Sequence, residues 1–385
     1  MWWTVLAIGW FVFLFWATVA LPNAIWLSRR RLRRMATDGD THEPAPTVTV
    51  VVPARDEGAK IEQCLHSLLA SDYPALDVIA VDDRSADRTG DIMDAIAEND
   101  DRLRVIHVNE LPTDWLGKSH AMHRAAAQSQ SEYLLFTDGD VLFQPDAISL
   151  ALRFARDNHV DHLCLVPGLS GGGYCENALV AFFGMIFTIG THVMLIPRSF
   201  QFAYAGVGAF NLVRRSVYQE LGGHTSIRLD VLDDVKLGKL FKRNGRRQDI
   251  LLGDAAVSVR WQDSALGVVR GLEKNAFASM NYSVLRMLWV TCVFAVIFVL
   301  PYVGTFALTD ARCGGFLAAA LLAHFVYALS GGLSGGSWRV APLLLPAALA
   351  TLYAFWRSTV LTLARGGVRW RDTFYPLERL RRNVF

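Results

Sequence analysis

With 385 residues, the chain is long enough for two domains, or for one domain carrying membrane segments. Hydrophobic residues make up 52% and charged residues only 19%, and the apolar excess sits at the two ends, as expected of membrane spans flanking a soluble middle. The net charge of +2 does not point to nucleic acid, and five cysteines without metal spacing or a C-x-x-C pair fit reduced thiols rather than a metal site.

Residues 5–27 are almost wholly apolar, and a crossing needs about 20 such residues. Arg29, Arg30, Arg31, Arg33 and Arg34 follow at once. A cleaved leader carries its positive charge before the apolar run, so residues 1–28 read as an anchor, with the N-terminus outside and the following chain cytoplasmic. Residues 29–46 read as a basic linker.

From residue 47 a β-then-α rhythm begins. Val48–Val52 is a β-branched strand ending at Pro53, before Arg55, Asp56 and Glu57. Residues 58–70 have helical spacing. Leu76–Val81 is a second strand, ending in Asp82 and Asp83. A helix over 87–97, a strand over 103–108 and a helix from about Ser119 follow. Tyr133–Phe136 is a fourth strand, stopping at Asp138-Gly139-Asp140. A helix opened by Pro145 and Asp146 comes next. Continuous apolar strands alternating with helices predict a parallel, doubly wound α/β sheet.

The glycine-rich loop 168–173 lacks the Lys-Ser/Thr of a phosphate-binding loop. Ala178–Ile196 has the length of a span, yet lies inside the soluble stretch; it reads as an interfacial helix, with a buried core helix as the alternative. Asp233 and Asp234 open a helix stopped at Asn244-Gly245. Three apolar blocks close the chain, 285–308, 313–329 and 341–356, before a basic amphipathic tail, 357–385, with seven arginines. Those arginines assign the tail to the cytoplasm, whereas three full crossings leave it outside. Pro342 and Pro346 leave a re-entrant or interfacial last block open.

Each acidic group has an ordinary explanation alone: Asp-Gly-Asp is a common turn, and Asp233-Asp234 a helix cap. Three of them, however, follow apolar strands, and in a parallel sheet strand ends face one way, towards the ligand. Asp138 and Asp140 stand close enough to share a hard cation such as Mg²⁺ or Mn²⁺.

Together these pieces resemble the family 2 glycosyltransferases, inverting enzymes of the GT-A fold, over roughly residues 47–275. The resemblance rests on Val51-Val52-Pro53-Ala54-Arg55-Asp56-Glu57, Asp82-Asp83-Arg84-Ser85-Ala86-Asp87, Trp115-Leu116-Gly117-Lys118, Asp138-Gly139-Asp140, Gly206-Val207-Gly208-Ala209-Phe210 with Arg214-Arg215, Gly222-Gly223-His224 and Asp233-Asp234. The Trp-x-Gly-Lys loop and the Trp370 to Tyr375 tail look like the membrane-anchored subgroup acting on lipids, such as carotenoid, hopanoid-associated and ceramide glucosyltransferases.

The resemblance implies a UDP-sugar donor and a lipid acceptor at the cell membrane. It implies that Pro53, Arg55, Glu57, Asp82, Asp83 and Asp138 contact the nucleotide, with Lys118 near the phosphates. It further implies that Asp140 and Asp138 hold Mg²⁺ or Mn²⁺, and that Asp234, or Asp233 beside it, is the general base. The Q/R-x-x-R-W string of many processive members is absent; Arg260-Trp261-Gln262 and Arg270 to Asn275 stand in its place. That favours transfer of one sugar over a polyprenyl-phosphate sugar synthase or polysaccharide synthase. The C-terminal blocks offer few intramembrane polar groups beyond Arg286 and His324, which argues against a transporter or scaffold.

Overall fold

The computed structural model describes residues 2–36, 45–169, 172–262, 264–333, 336–370 and 373–382. Residues 37–44 of the expected linker, 170–171 of the glycine-rich loop, and Arg371 and Asp372 of the tail motif lie outside the described residues. The chain divides into two compact units: Arg30–Gly168 with Leu195–Arg260, and Met1–Arg29 with Leu169–Met194 and Trp261–Val384.

The first unit is built on eight strands: β1 (Val48–Ala54), β2 (Leu76–Asp83), β3 (Leu103–Val108), β4 (Tyr133–Phe136), β5 (Val141–Phe143), β6 (His162–Leu169), β7 (Asn211–Arg214) and β8 (Gln248–Val259). They lie in the order β3-β2-β1-β4-β7-β6-β8-β5. The β3-β2-β1-β4 half is parallel, as the alternating pattern predicts. Beyond β4 the sheet is mixed, because β4–β7, β6–β7 and β5–β8 pair antiparallel.

β1 is central because every one of its residues is buried, and β-branched side chains suit a strand covered on both faces. Its side chains alternate between two cores. Val48, Val50 and Val52 pack with Ile61, Leu65 and Leu68 of the helix Ile61–Leu69. Val51 faces the opposite core, with Ala121, Met122, Leu237 and Phe241. Register then fixes the functional edge: Ala54 lies opposite Asp82, and Val51 opposite Phe136. The carboxyl ends of β1, β2 and β4 therefore share one side. β7 runs the other way, and its first residue, Asn211, meets Phe136 at the end of β4. That reversal brings the segment before β7 to the same edge.

Among the described residues, His162 and His224 are each at most 1% exposed in this unit. Burial lowers the His162 pKa to about 4, although Asn211 pulls it up. Burial, with Lys118 and His123 adding to it, lowers His224 to about 3. Both are neutral when folded and readily protonated when unfolded. Their contribution to stability is complete above pH ~6.5 and is lost as pH falls from there towards the folded values. By pH 5 the loss is about 2 kcal/mol for each. His107, whose pKa is raised chiefly by its hydrogen bond to Asp82 against the opposing effect of burial, works in the opposite direction. The melting temperature of the solubilised full chain is expected to be several degrees lower at pH 5 than at pH 7.5, and an unchanged value would contradict neutral buried histidines.

Among the described residues, the second unit contains four helices long and apolar enough to cross a membrane: Trp2–Arg29, Val284–Ala307, Cys313–Leu333 and Trp338–Arg365. Pro342 lies in a short 3-10 turn, and Pro346 in the first turn of the helix Leu344–Arg365, where a missing N–H costs little. The last helix is therefore continuous to Arg365 and longer than the block expected from sequence. The stretch expected to lie at an interface forms the helix Tyr174–Gly190, apolar but shorter than a span. Its Ala178, Phe182 and Met185 are buried, and the Tyr327 hydroxyl donates to the Ala178 carbonyl at 2.7 Å.

Candidate active site

At the ends of β1 and β2, two loops are tied to each other by their own polar groups. The Asp56 N–H donates to Ser85 Oγ, and the Ala86 N–H donates back to Asp56 Oδ1 at 2.7 Å. The Glu57 N–H donates to Thr89 Oγ1, and the Gly58 N–H to Asp87 Oδ2. Asp56 and Arg84 both have positive φ, 52° and 60°, a conformation that costs free energy in non-glycine residues and concentrates at functional sites. Arg84 grips Asp83 through Nε at 2.8 Å and Nη2 at 3.1 Å. Asp82 accepts from the Ser85 N–H and meets His107 Nδ1 at 3.2 Å. Arg55 approaches Asp56 at 3.8 Å. Pro53 sits within β1, opposite Val81.

The Trp-Leu-Gly-Lys segment is fixed by stacking and one main-chain bond. Trp115 stacks on His123 at 5.0 Å, and the Leu116 N–H donates to the Arg228 carbonyl. The helix Gly117–Gln128 starts here, so Lys118 projects from its first turn. Its ammonium lies 2.8 Å from Asp138 and 3.3 Å from Asp233. Burial opposes that charge, but Asp138, Asp233 and Asp234 more than offset it, and the Lys118 pKa is raised.

Asp138 and Asp140 diverge around Gly139. Asp138 meets Lys118, whereas Asp140 is paired with Lys60 at 3.2 Å. Burial first, then repulsion from Asp138, raises the Asp140 pKa against the pull of Lys60. Two hard carboxylates one glycine apart suit a divalent cation that takes its remaining oxygens from phosphate and water. Among the described residues no cluster of three or more His, Cys, Asp or Glu side chains is placed to hold a metal unaided. The donor set fits a Mg²⁺ or Mn²⁺ ion that binds together with a diphosphate.

The segment before β7 runs between the acidic groups. Thr137 Oγ1 donates to the Ala209 carbonyl at 2.8 Å, holding the strip beside the end of β4. A Cβ on Gly208 would stand 2.7 Å from Asp138 Oδ2 and 3.6 Å from Asp234 Oδ2, so the two carboxylates flank one glycine. A Cβ on Gly206 would stand 1.8 Å from the Asp234 carbonyl oxygen. Only a bare Cα fits there. Gly206→Ala is expected to displace the start of the helix Asp233–Arg243 and destabilise the unit by about 1–3 kcal/mol, with transfer activity lost. Thermal melting beside an activity assay checks this; an alanine variant with wild-type values in both would contradict the close approach.

Asp234 is half-buried at the start of that helix, and its Oδ1 accepts from the Val235 N–H at 2.8 Å. Burial, and then the neighbouring Asp233, raise its pKa to about 7 against the pull of Lys118. A small cleft lined by Lys118, Thr137, Gly208, His224, Asp233 and Asp234 opens at this point.

Lys118, Asp138, Asp233 and Asp234 thus come together, and Asp140 lies one residue beyond Gly139. Asp82, Asp83, Arg55 and Glu57 lie at the same sheet edge, where Asp83 bonds to Arg84 and Asp82 to Ser85 and to His107 of β3. Arg270 and Lys274 fall in the other unit, where Lys274 lies over the Trp370 ring at 4.1 Å. Sequence reasoning gave no role to Lys60, Asn211 or the His224 ring. Lys60 had no motif to mark it, whereas Asn211 was legible as a polar residue entering an apolar strand.

Residues 49–222 match the family model described as Glycosyl transferase family 2. This stretch is a family 2 glycosyltransferase domain. The chain is 25% identical over 256 residues to a 4,4'-diaponeurosporenoate glycosyltransferase of Staphylococcus aureus (strain MRSA252), covering 66% of each chain. The protein of the same name from strain USA300 gives the same figures. The chain thus spans 66% of the length of these curated relatives. Among solved structures it is similar to the mannosyltransferase PcManGT from Pyrobaculum calidifontis in complex with GDP-Man and Mn²⁺. That likeness has a TM-score of 0.51 at 18% identity, covering 96% of this chain and 100% of the other, and it speaks to the GT-A fold.

Proposed function

We propose that this glycosyltransferase moves a single hexose from a UDP-sugar to a hydroxyl or carboxyl oxygen of a lipid, with inversion at the anomeric carbon. The observation that carries the reading is Asp234, a carboxylate of raised proton affinity held across Gly208 from Asp138. A base of that kind removes a proton from an acceptor better than an ordinary surface carboxylate. Asp234 takes the acceptor proton as the acceptor oxygen bonds to the anomeric carbon. The bond from that carbon to the diphosphate breaks, and its electron pair leaves with UDP. Lys118 holds Asp138 and Asp233 in place and keeps positive charge beside the leaving group.

The cross-tied loops at Asp56 and Asp82 give the nucleotide a rigid floor, with Pro53, Arg55, Glu57 and Asp83 at its edge. Asp138 and Asp140 would hold Mg²⁺ or Mn²⁺, whose charge neutralises the departing diphosphate. The Mn²⁺ in the PcManGT complex supports that assignment. UDP as the carrier rests on the family resemblance. The relatives named for diaponeurosporenoate, together with four span-length apolar helices, support a lipid acceptor met at a membrane. Arginines 29 to 34 support an inner- or plasma-membrane protein with its catalytic unit in the cytoplasm.

Lipid extracts from cells with and without the protein test the reading. Expression is expected to produce a lipid heavier by one hexose residue. Extracts that differ only in a nucleotide, or in a long carbohydrate polymer, would contradict it.

A further inference from the structure

From the wall of the acidic cleft, where Asn211 is one of the lining residues, runs a buried polar chain that the chemistry above does not use. His162 on β6, Asn211 on β7 and Gln248 on β8 are each at most 2% exposed. His162 Nε2 lies 2.6 Å from Asn211 Oδ1, and Gln248 Nε2 lies 2.5 Å from His162 Nδ1. Asn211 Oδ1 also accepts from Cys164 Sγ. The amide of Gln248 can only donate to Nδ1, so the His162 proton sits on Nε2 and points at Asn211. Asn211 Oδ1 is thereby committed as an acceptor. Its Nδ2 is left to donate, and it donates to the main-chain carbonyl of Asp234 at 3.4 Å.

The same chain reaches the strip on the other side of Asp234. Gln248 Oε1 accepts from the Ala205 N–H, while the two hydrogens of its Nε2 are shared among His162 Nδ1 and the carbonyls of Ala205 and Gly238. Ala205 precedes Gly206, which packs bare against the Asp234 carbonyl. Gly238, one turn into the helix, packs bare against the Ala205 carbonyl. Two pieces of main chain are thus pressed together at two glycines, with a directional polar chain holding both. Burying several polar groups this way costs free energy that apolar packing would not.

We propose that His162, Asn211 and Gln248 are positioning residues that fix the main chain at Asp234, and through it the angle of the carboxylate towards the acceptor. The proposal rests on Asp234 being the general base. A misplacement of about 1 Å at a reacting group costs on the order of 100-fold in rate, whereas donor binding at Asp138 and Asp140 does not depend on it.

The test uses the solubilised full-length chain with UDP-hexose, Mn²⁺ and a lipid extract as acceptor. Asn211→Asp keeps the size and the acceptor for His162 but, when ionised, cannot donate to Asp234. It is expected to lower kcat by about 10- to 100-fold, with UDP affinity within about twofold of wild type by calorimetry. In an Asp234→Asn background the same substitution is expected to lower the residual rate less than about twofold, because the group it positions is gone. Should Asn211→Asp not fold, as judged by melting, His162→Gln is read in the same two backgrounds with the same expectation. Equal losses in both backgrounds, or a kcat near wild type in the single variant, would overturn the network. Normal transfer by Asp234→Asn alone would overturn the base and the network's role together.

Discussion

Replacing Asp234 by Asn is expected to lower glycosyl transfer by roughly 10²–10⁴-fold, the usual contribution of a positioned general base. Asn keeps the size of the side chain, and its carbonyl oxygen can still accept from the Val235 N–H, so the start of the helix survives. The donor affinity is expected to stay within about twofold, because the proposed base would act on the acceptor proton in the transition state. Steady-state rates beside UDP calorimetry separate the two quantities. Near-normal transfer by Asp234→Asn would reduce Asp234 to a helix cap and move the base to Asp233, which is bound to Lys118.

Asp140→Asn is expected to fail differently. Removing a charged ligand from a divalent site weakens both the binding of the diphosphate and its departure. UDP affinity in Mn²⁺ is expected to fall by at least about tenfold, and the difference between Mn²⁺ and chelator to shrink in the variant. The neighbouring Lys60 would lose its partner and offer the phosphate some charge, which limits the loss. In the wild type, equal UDP affinity with Mn²⁺ and with chelator would remove the cation role of Asp138 and Asp140.

The parallel half of the sheet was legible because its central strands are nearly continuous apolar runs, as in Val48–Val52 and Tyr133–Phe136. Leu103–Val108, at the sheet edge, instead exposes Arg104 and His107. The antiparallel half was harder. β7 has four residues, and β6 opens on a histidine whose partners lie 49 and 86 residues further along the chain. Local pattern cannot show pairings of that separation. That Asp138, Asp233 and Asp234 meet at one place was recoverable because carboxylates recurring at strand ends and helix starts of a parallel sheet converge on one edge. The commitment of Asp82 to Ser85 and His107, and of Asp83 to Arg84, was not recoverable, since a carboxylate's partner depends on side-chain geometry. The contact of Gly206 with the Asp234 carbonyl was equally hidden: the glycine is visible in sequence, but its neighbour is 28 residues away.

The most direct measurement places the purified full-length chain in vesicles made from a total lipid extract, with Mn²⁺ and a UDP-hexose labelled in the sugar. Label is expected to pass into the organic phase in step with UDP release, and both are expected to collapse in Asp234→Asn. Label that stayed in water while UDP was released, or organic-phase label undiminished in Asp234→Asn, would contradict single-hexose transfer to a lipid by this site.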